Sequence, residues 1–152
     1  MKIGRSTFVV ALGALIVATG AAGCGGNDKG ADKKPLSQSQ FVAKATAICV
    51  PANKRIEVAA KKYLGGGKPT ATDFDQFVHR ALVPITRQQV SQFRQLTPPA
   101  NEAATYKSLI DKLQSITDRL DANPQLLSKP GDPFAGLKAT AKQIGLDACN
   151  ES

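Results

Sequence analysis

Apolar residues recur at alternating three- and four-residue steps through four successive stretches of this chain, and nowhere do they alternate with period two over a useful length. A 3.6-residue turn puts residues so spaced on one side of a helix, whereas a half-buried strand needs alternation. The chain is therefore expected to be all-α. The first stretch runs through Phe41, Ala45, Ile48, Ala52, Ile56, Ala59 and Tyr63, with Ser37 placed to cap it and Gly65-Gly66-Gly67 to end it. A second starts near Thr72, has Asp73 and Asp75 at the positive end of the helix dipole, and turns Phe74, Phe77, Val78, Ala81, Ile85, Phe93 and Leu96 inward before Pro98-Pro99. The third spans about Ala100 to Ala122 through Tyr106, Leu109, Ile110, Leu113, Ile116 and Leu120, and Asn123-Pro124 closes it. After an irregular stretch, Phe134, Leu137, Ala141, Ile144 and Ala148 mark a fourth helix leading into Cys149.

The N-terminus reads differently. Lys2 and Arg5 precede an apolar run from Phe8 to Thr19, and small residues follow it. This is the pattern of a cleaved export signal, and the run is shorter than the ~20 residues a membrane span needs. The stretch Ala21-Ala22-Gly23-Cys24 resembles the lipobox of bacterial lipoproteins, in which the cysteine receives a diacylglycerol and becomes the new N-terminus. Ala21 stands where that family usually has Leu. Ala21 and Gly23 also suit an ordinary signal peptidase, which would leave Cys24 as a free secreted thiol. The expected organisation is a signal peptide (1–23), a lipidated Cys24 with a Gly- and Lys-rich flexible linker (24–35), and a helical domain (36–152). A linker of this kind has a reach of about 20 Å, enough to hold the domain just off a lipid surface.

Export opens an oxidising compartment to the remaining cysteines. The chain has 3 cysteines; with Cys24 at the processing site, Cys49 and Cys149 are left as a pair. A disulfide between them would enclose nearly the whole domain and, on the chain-entropy account, contribute about 4.7 kcal/mol for a loop of ~100 residues. No Cys-x-x-Cys occurs, so redox and zinc roles find no support.

Removing the first 23 of 152 residues leaves 129, enough for one domain. Short connections favour antiparallel neighbours, hence an up-down-up-down four-helix bundle. If the fourth helix starts beside the end of the first, near Leu64, and runs back alongside it from Phe134 to Ala148, it finishes near Cys49, as the disulfide requires. That arrangement covers the half of the first helix away from the linker and leaves Phe41 to Ile48 mainly to helices two and three. Pro51 and Pro84 interrupt helical patterns at matching heights, each about 13 residues from the hairpin joining helices one and two. The plain reading is two matched kinks or short breaks; the sharper one is that the prolines splay the bundle and open a pocket next to the disulfide.

The side chains that could carry chemistry are few. His79 is the only histidine, lies off the apolar face of helix two and is expected to be solvated. No nucleophile motif accompanies it. Asp73 and Asp75 fit a helix start, while Asp111 and Asp118 fall on the outer side of helix three. The glutamates are Glu57, Glu102 and Glu151, too few and wrongly placed for a di-iron bundle. Met1 leaves with the signal, so soft and imidazole ligands are missing, and neither a metal nor another cofactor is expected. An enzyme is not expected.

Loss of Lys2 and Arg5 lowers the formal charge from +8 to +6, a modest basic excess suited to solubility or to anionic lipids. Nucleic-acid binding is not expected of an exported chain with 5% aromatics and no basic-aromatic motif. Arg80, Arg87 and Arg94 repeat every seven residues and predict a stripe along helix two, joined by Lys54, Arg55, Lys61 and Lys62 of helix one. An ordinary solvated face explains such a stripe; docking on anionic headgroups or an acidic partner is the alternative.

The lipobox-like cysteine, the linker and the small helical domain together resemble exported lipoproteins common in high-GC Gram-positive bacteria. In the domain, Phe41-Val42-Ala43-Lys44-Ala45-Thr46-Ala47-Ile48-Cys49, then Ala52-Asn53-Lys54-Arg55-Ile56, Leu96-Thr97-Pro98-Pro99, Tyr106 and the terminal Cys149 look like a pattern recurring in uncharacterised members. The resemblance implies anchorage at the outer face of the cell membrane and no known catalytic or ligand-binding residue. A binding domain for an envelope protein or a small apolar or anionic ligand is the leading expectation. A spacer protein of the envelope without a specific ligand is the other.

Overall fold

The structure, a computed structural model, describes residues 34–150. The expected signal peptide (1–23), Cys24 and the linker through residue 33 lie outside the described residues. Helix α1 (Gln38–Leu64) begins at a capping box, in which the Ser37 hydroxyl accepts from the Gln40 N–H and the Gln40 side chain accepts from the Ser37 N–H. α2 (Ala71–Phe77) starts the same way at Thr70 and Asp73. The Asp73 carboxylate accepts from both the N–H and the hydroxyl of Thr70, which holds its pKa below the usual carboxylate value.

α2 continues without interruption through one π-helical segment, Val78–Leu82, into α3 (Val83–Phe93). The wide turn has a local cause. Pro84 has no N–H to give to the Arg80 carbonyl, and its ring would collide with that carbonyl in a regular α-turn. Widening the turn, so that the Val83 N–H reaches Val78 O five residues back, moves the carbonyl aside. Pro51, by contrast, lies on the exposed side of α1, and that helix stays α-helical through it. The two prolines are not a matched pair of breaks.

α4 (Ala103–Ala122) packs on α3, and a 3-10 turn (Pro124–Ser128) then touches α2. α5 (Ala135–Gln143) packs on α4. Among the described residues there is no strand, so the fold is an all-α, up-down-up-down bundle closed by a disulfide.

The fourth helix corrects the sequence reading in length and in place. It ends at Gln143 instead of running to Ala148, because Gly145 takes a left-handed conformation (φ +74°) and reverses the chain. The Leu146 N–H returns to Ala141 O and the Gly145 N–H to Lys142 O, a Schellman closure with Leu146 folded back on Ala141. Only the segment after this turn lies along α1, as a 3-10 turn (Asp147–Cys149) that climbs to Cys49. The covered half of α1 is consequently the linker-side half. Gln38 donates to Ile144 O at 3.2 Å, and Phe41, Ala45 and Cys49 share one core with Leu137, Ala141 and Leu146.

Tyr106 organises that core. Its ring stands edge-on to Phe41 at 4.9 Å and to Phe93 at 6.3 Å, and its hydroxyl donates to Phe93 O at 2.9 Å. Burial pushes the phenol pKa upward. A second core joins Ala52 of α1 to Phe77, Val78 and Leu82 across the π-segment and to Leu120 of α4, with Phe134 bordering both.

Candidate functional site

Between the two cores, next to the disulfide, lies a cavity of about 230 Å³. Its walls come from Phe93 of α3 and from Leu109 and Leu113 of α4; Phe134, Leu137 and Leu146 close it from the C-terminal side. Cys149 contributes to the wall, and its bond to Cys49 spans a Cα–Cα distance of 5.2 Å. The pocket beside the disulfide therefore exists, but the prolines do not open it as a matched pair. Only Pro84 acts on it, through the phase of α3.

That phase explains which residues face the cavity. One extra residue in a turn rotates everything downstream by about 100°. After the π-segment the inward face of α3 becomes Val83, Ile85, Thr86, Gln89, Val90 and Phe93, all buried. Thr86 and Gln89 thus line the cavity at 3% and 8% exposure. The same rotation divides the expected arginine stripe. Arg87 turns to α4, where its guanidinium meets Asp121 at 2.8 Å and Asp118 at 3.3 Å. Arg94 acts electrostatically on the same Asp118. Arg80, upstream, borders a shallow depression with Lys54, Arg55 and Lys62 of α1 around the exposed Val58. Among the described residues, no carboxylate lines that depression.

The rim of the cavity is polar. Lys138 meets Asp132 at 2.8 Å and, with the Phe134 N–H, holds that carboxyl below its ordinary pKa. Asn53 donates to Cys149 O at 3.0 Å and Asn150 to Lys138 O at 3.2 Å, tying the C-terminal segment across the opening. His79 is remote from all this. It sits partly exposed between Asp75 (3.2 Å) and the Asp121 carbonyl (3.0 Å), and that carbonyl, together with the two carboxylates, raises its pKa. Among the described residues no three metal-ligating side chains converge, and no helix is long and apolar enough to cross a membrane.

Sequence reasoning missed Thr86 and Gln89, because a polar residue in a helical pattern reads as solvated. The signal was present: Leu82, Val90 and Phe93 keep helical spacing with each other, and Thr86 and Gln89 fall on the face they define. Comparison with known proteins adds no assignment, since no family model, curated protein or solved structure matches the chain.

Proposed function

We propose that this chain is a lipid-anchored, non-enzymatic binding domain at the outer face of the cell membrane, and that its ligand is a small apolar molecule held in the cavity beside the disulfide. The observation that carries this reading is the cavity itself: apolar walls from α1, α3, α4 and α5, a few inward polar groups and a rim tied by hydrogen bonds, the composition of small-molecule sites in general. The export signal and the lipobox-like Cys24 support the location. Binding without catalysis accords with the residues at hand, because among the described residues the cavity walls hold no nucleophile–base pair and the only histidine lies elsewhere.

The size sets the ligand class. An apolar cavity of ~150 Å³ admits benzene, so this one accommodates roughly eight to ten heavy atoms. An apolar fluorescent dye of that size should bind saturably, at one site per chain, and be displaced by small hydrocarbons. Binding that never saturates would refute the cavity as a ligand site and leave an envelope spacer as the better reading. Intact mass of the membrane-extracted protein tests the anchor independently: a diacylglyceryl adduct on Cys24, with two thiols appearing only after reduction, is expected.

A further inference from the structure

Gln89 and Thr86 stand one turn apart on α3, on the same side of the helix, and both face the cavity. Both are more than nine-tenths buried, yet among the described residues neither side chain makes a hydrogen bond. Neither is sealed off, since among the described residues Glu102 Oε2 alone is a buried side-chain polar atom without a partner, so the two side chains open onto the cavity and a partner must come from whatever fills it. The neighbouring polar groups do not supply it, since the Asn53 amide is turned to Cys149 O and the Asp132 carboxylate to Lys138.

We infer that the cavity selects neutral amphiphiles, molecules with a short hydrocarbon body and one alcohol or N–H-bearing amide group that hydrogen-bonds to Gln89 and Thr86. This rests on the reading of the cavity as a ligand site. Gln89 offers a donor and an acceptor and Thr86 one of each, so a single uncharged group that both gives and takes a hydrogen bond satisfies them together. The hydrocarbon then lies against Phe93, Leu109, Leu113 and Phe134. Water in the cavity meets mostly apolar wall, so a ligand that supplies the same hydrogen bonds and covers that wall displaces it with a gain in affinity. A carboxylate head is disfavoured, because the one cation among the described residues at the site, Lys138, stands at the rim and is already paired with Asp132.

Residues 24–152 carrying Cys24→Ser provide the mature chain without lipid, and octane, 1-octanol and octanoate provide matched probes. The expected result is saturable binding of octane and 1-octanol, weaker binding of octanoate, and a change in relative affinity on substitution. Gln89→Leu and Thr86→Val should each lower the ratio of octanol to octane affinity by roughly three- to tenfold, the size of one hydrogen bond. In the unsubstituted protein the Gln89 side-chain amide resonances should shift with 1-octanol and stay in place with octane, a readout independent of whether the variants fold. If both probes bind but the ratio and the amide resonances do not respond, the selectivity inference is overturned while the cavity remains a ligand site. Octanoate binding more tightly than 1-octanol also overturns it. If no probe binds saturably, the cavity reading itself fails.

Discussion

Replacing Cys49 and Cys149 together by Ala removes a covalent link between residues 100 apart while leaving the surrounding contacts in place. On the loop-closure account a link of that span constrains the unfolded chain by about 4.7 kcal/mol. For the ~117 described residues, an unfolding entropy of roughly 2.1 cal/mol/K per residue amounts to about 0.25 kcal/mol/K, so the melting temperature should fall by roughly 15–20 °C. The native state should lose little shape. The Gly145 reversal, the Gln38 bond to Ile144 O and the Asn53 bond to Cys149 O still hold the C-terminal segment, and Leu146 remains 1% exposed. Thermal unfolding followed by circular dichroism, with urea unfolding beside it, measures both sides. Reduced wild type should melt with the double variant, and the urea m-value should rise because the unlinked chain exposes more surface. A fall of less than about 5 °C would refute the entropic reasoning. A double variant well below reduced wild type would assign the loss to packing around the buried Cys49 instead.

The other expectations are more local. Gly145→Ala should destabilise the fold by about 1–2 kcal/mol, the cost of a left-handed residue with a Cβ; the added carbon itself would meet Gln38 and Val42 only at ordinary contact distances of 3.4 and 3.5 Å, so a variant as stable as wild type in urea would refute the assigned strain. The His79 imidazole should titrate above the ordinary histidine value by NMR, mainly through its bond to the Asp121 carbonyl, and Asp75→Asn should lower its pKa. Because the folded pKa is the raised one, the stabilisation is complete below the unfolded value of about 6.5 and disappears as pH rises through the folded value; a His79 pKa unmoved by Asp75→Asn would count against the pairing. Anionic vesicles should sediment the unlipidated domain in a salt-sensitive way through the depression around Val58, so Arg80→Glu should release it far more than Arg87→Glu, a reversal of the same charge at a guanidinium already held by Asp118 and Asp121. Equal loss in both would point to net charge alone.

The helical class, the capping at Ser37, the glycine end of α1 and the cysteine pairing were legible because each rests on local chemistry: a period, a hydroxyl three residues before an N–H, a break, an even count. The fourth helix was misread because Ala148 happens to continue the spacing of Leu137, Ala141 and Ile144, and the apolar period outweighed Gly145 in the reading. A glycine directly after a periodic residue is the usual end of a helix, and here the left-handed turn it permits decides which half of α1 is covered. Placing the fourth helix along α1 also ignored that a short return segment can reach Cys49 as well as a long one.

The candidate site was less legible than the fold because the helical phase set by Phe74, Phe77 and Ala81 does not carry through to Leu82, Val90 and Phe93. Read at 3.6 residues per turn from the first set, Arg80, Arg87 and Arg94 line up, and Thr86 and Gln89 do not stand out as inward positions. Pro84 marks the break: the π-turn that accommodates it carries Arg87 and Arg94 to α4, leaves Arg80 with the basic residues of α1, and rotates Thr86 and Gln89 into the gap between the two cores. Turning a threonine and a glutamine toward a largely apolar cavity opposes folding, and a regular α-turn in place of the π-turn would direct this stretch of α3 elsewhere. The wide turn, the cavity and its two inward polar groups are therefore one structural feature with a single sequence origin. Restoring a backbone donor with Pro84→Ala would test that unity, because loss of the π-turn should withdraw Gln89 from the cavity and redirect Arg87 away from Asp121 together. A variant that lost one and kept the other would show the two to be independent.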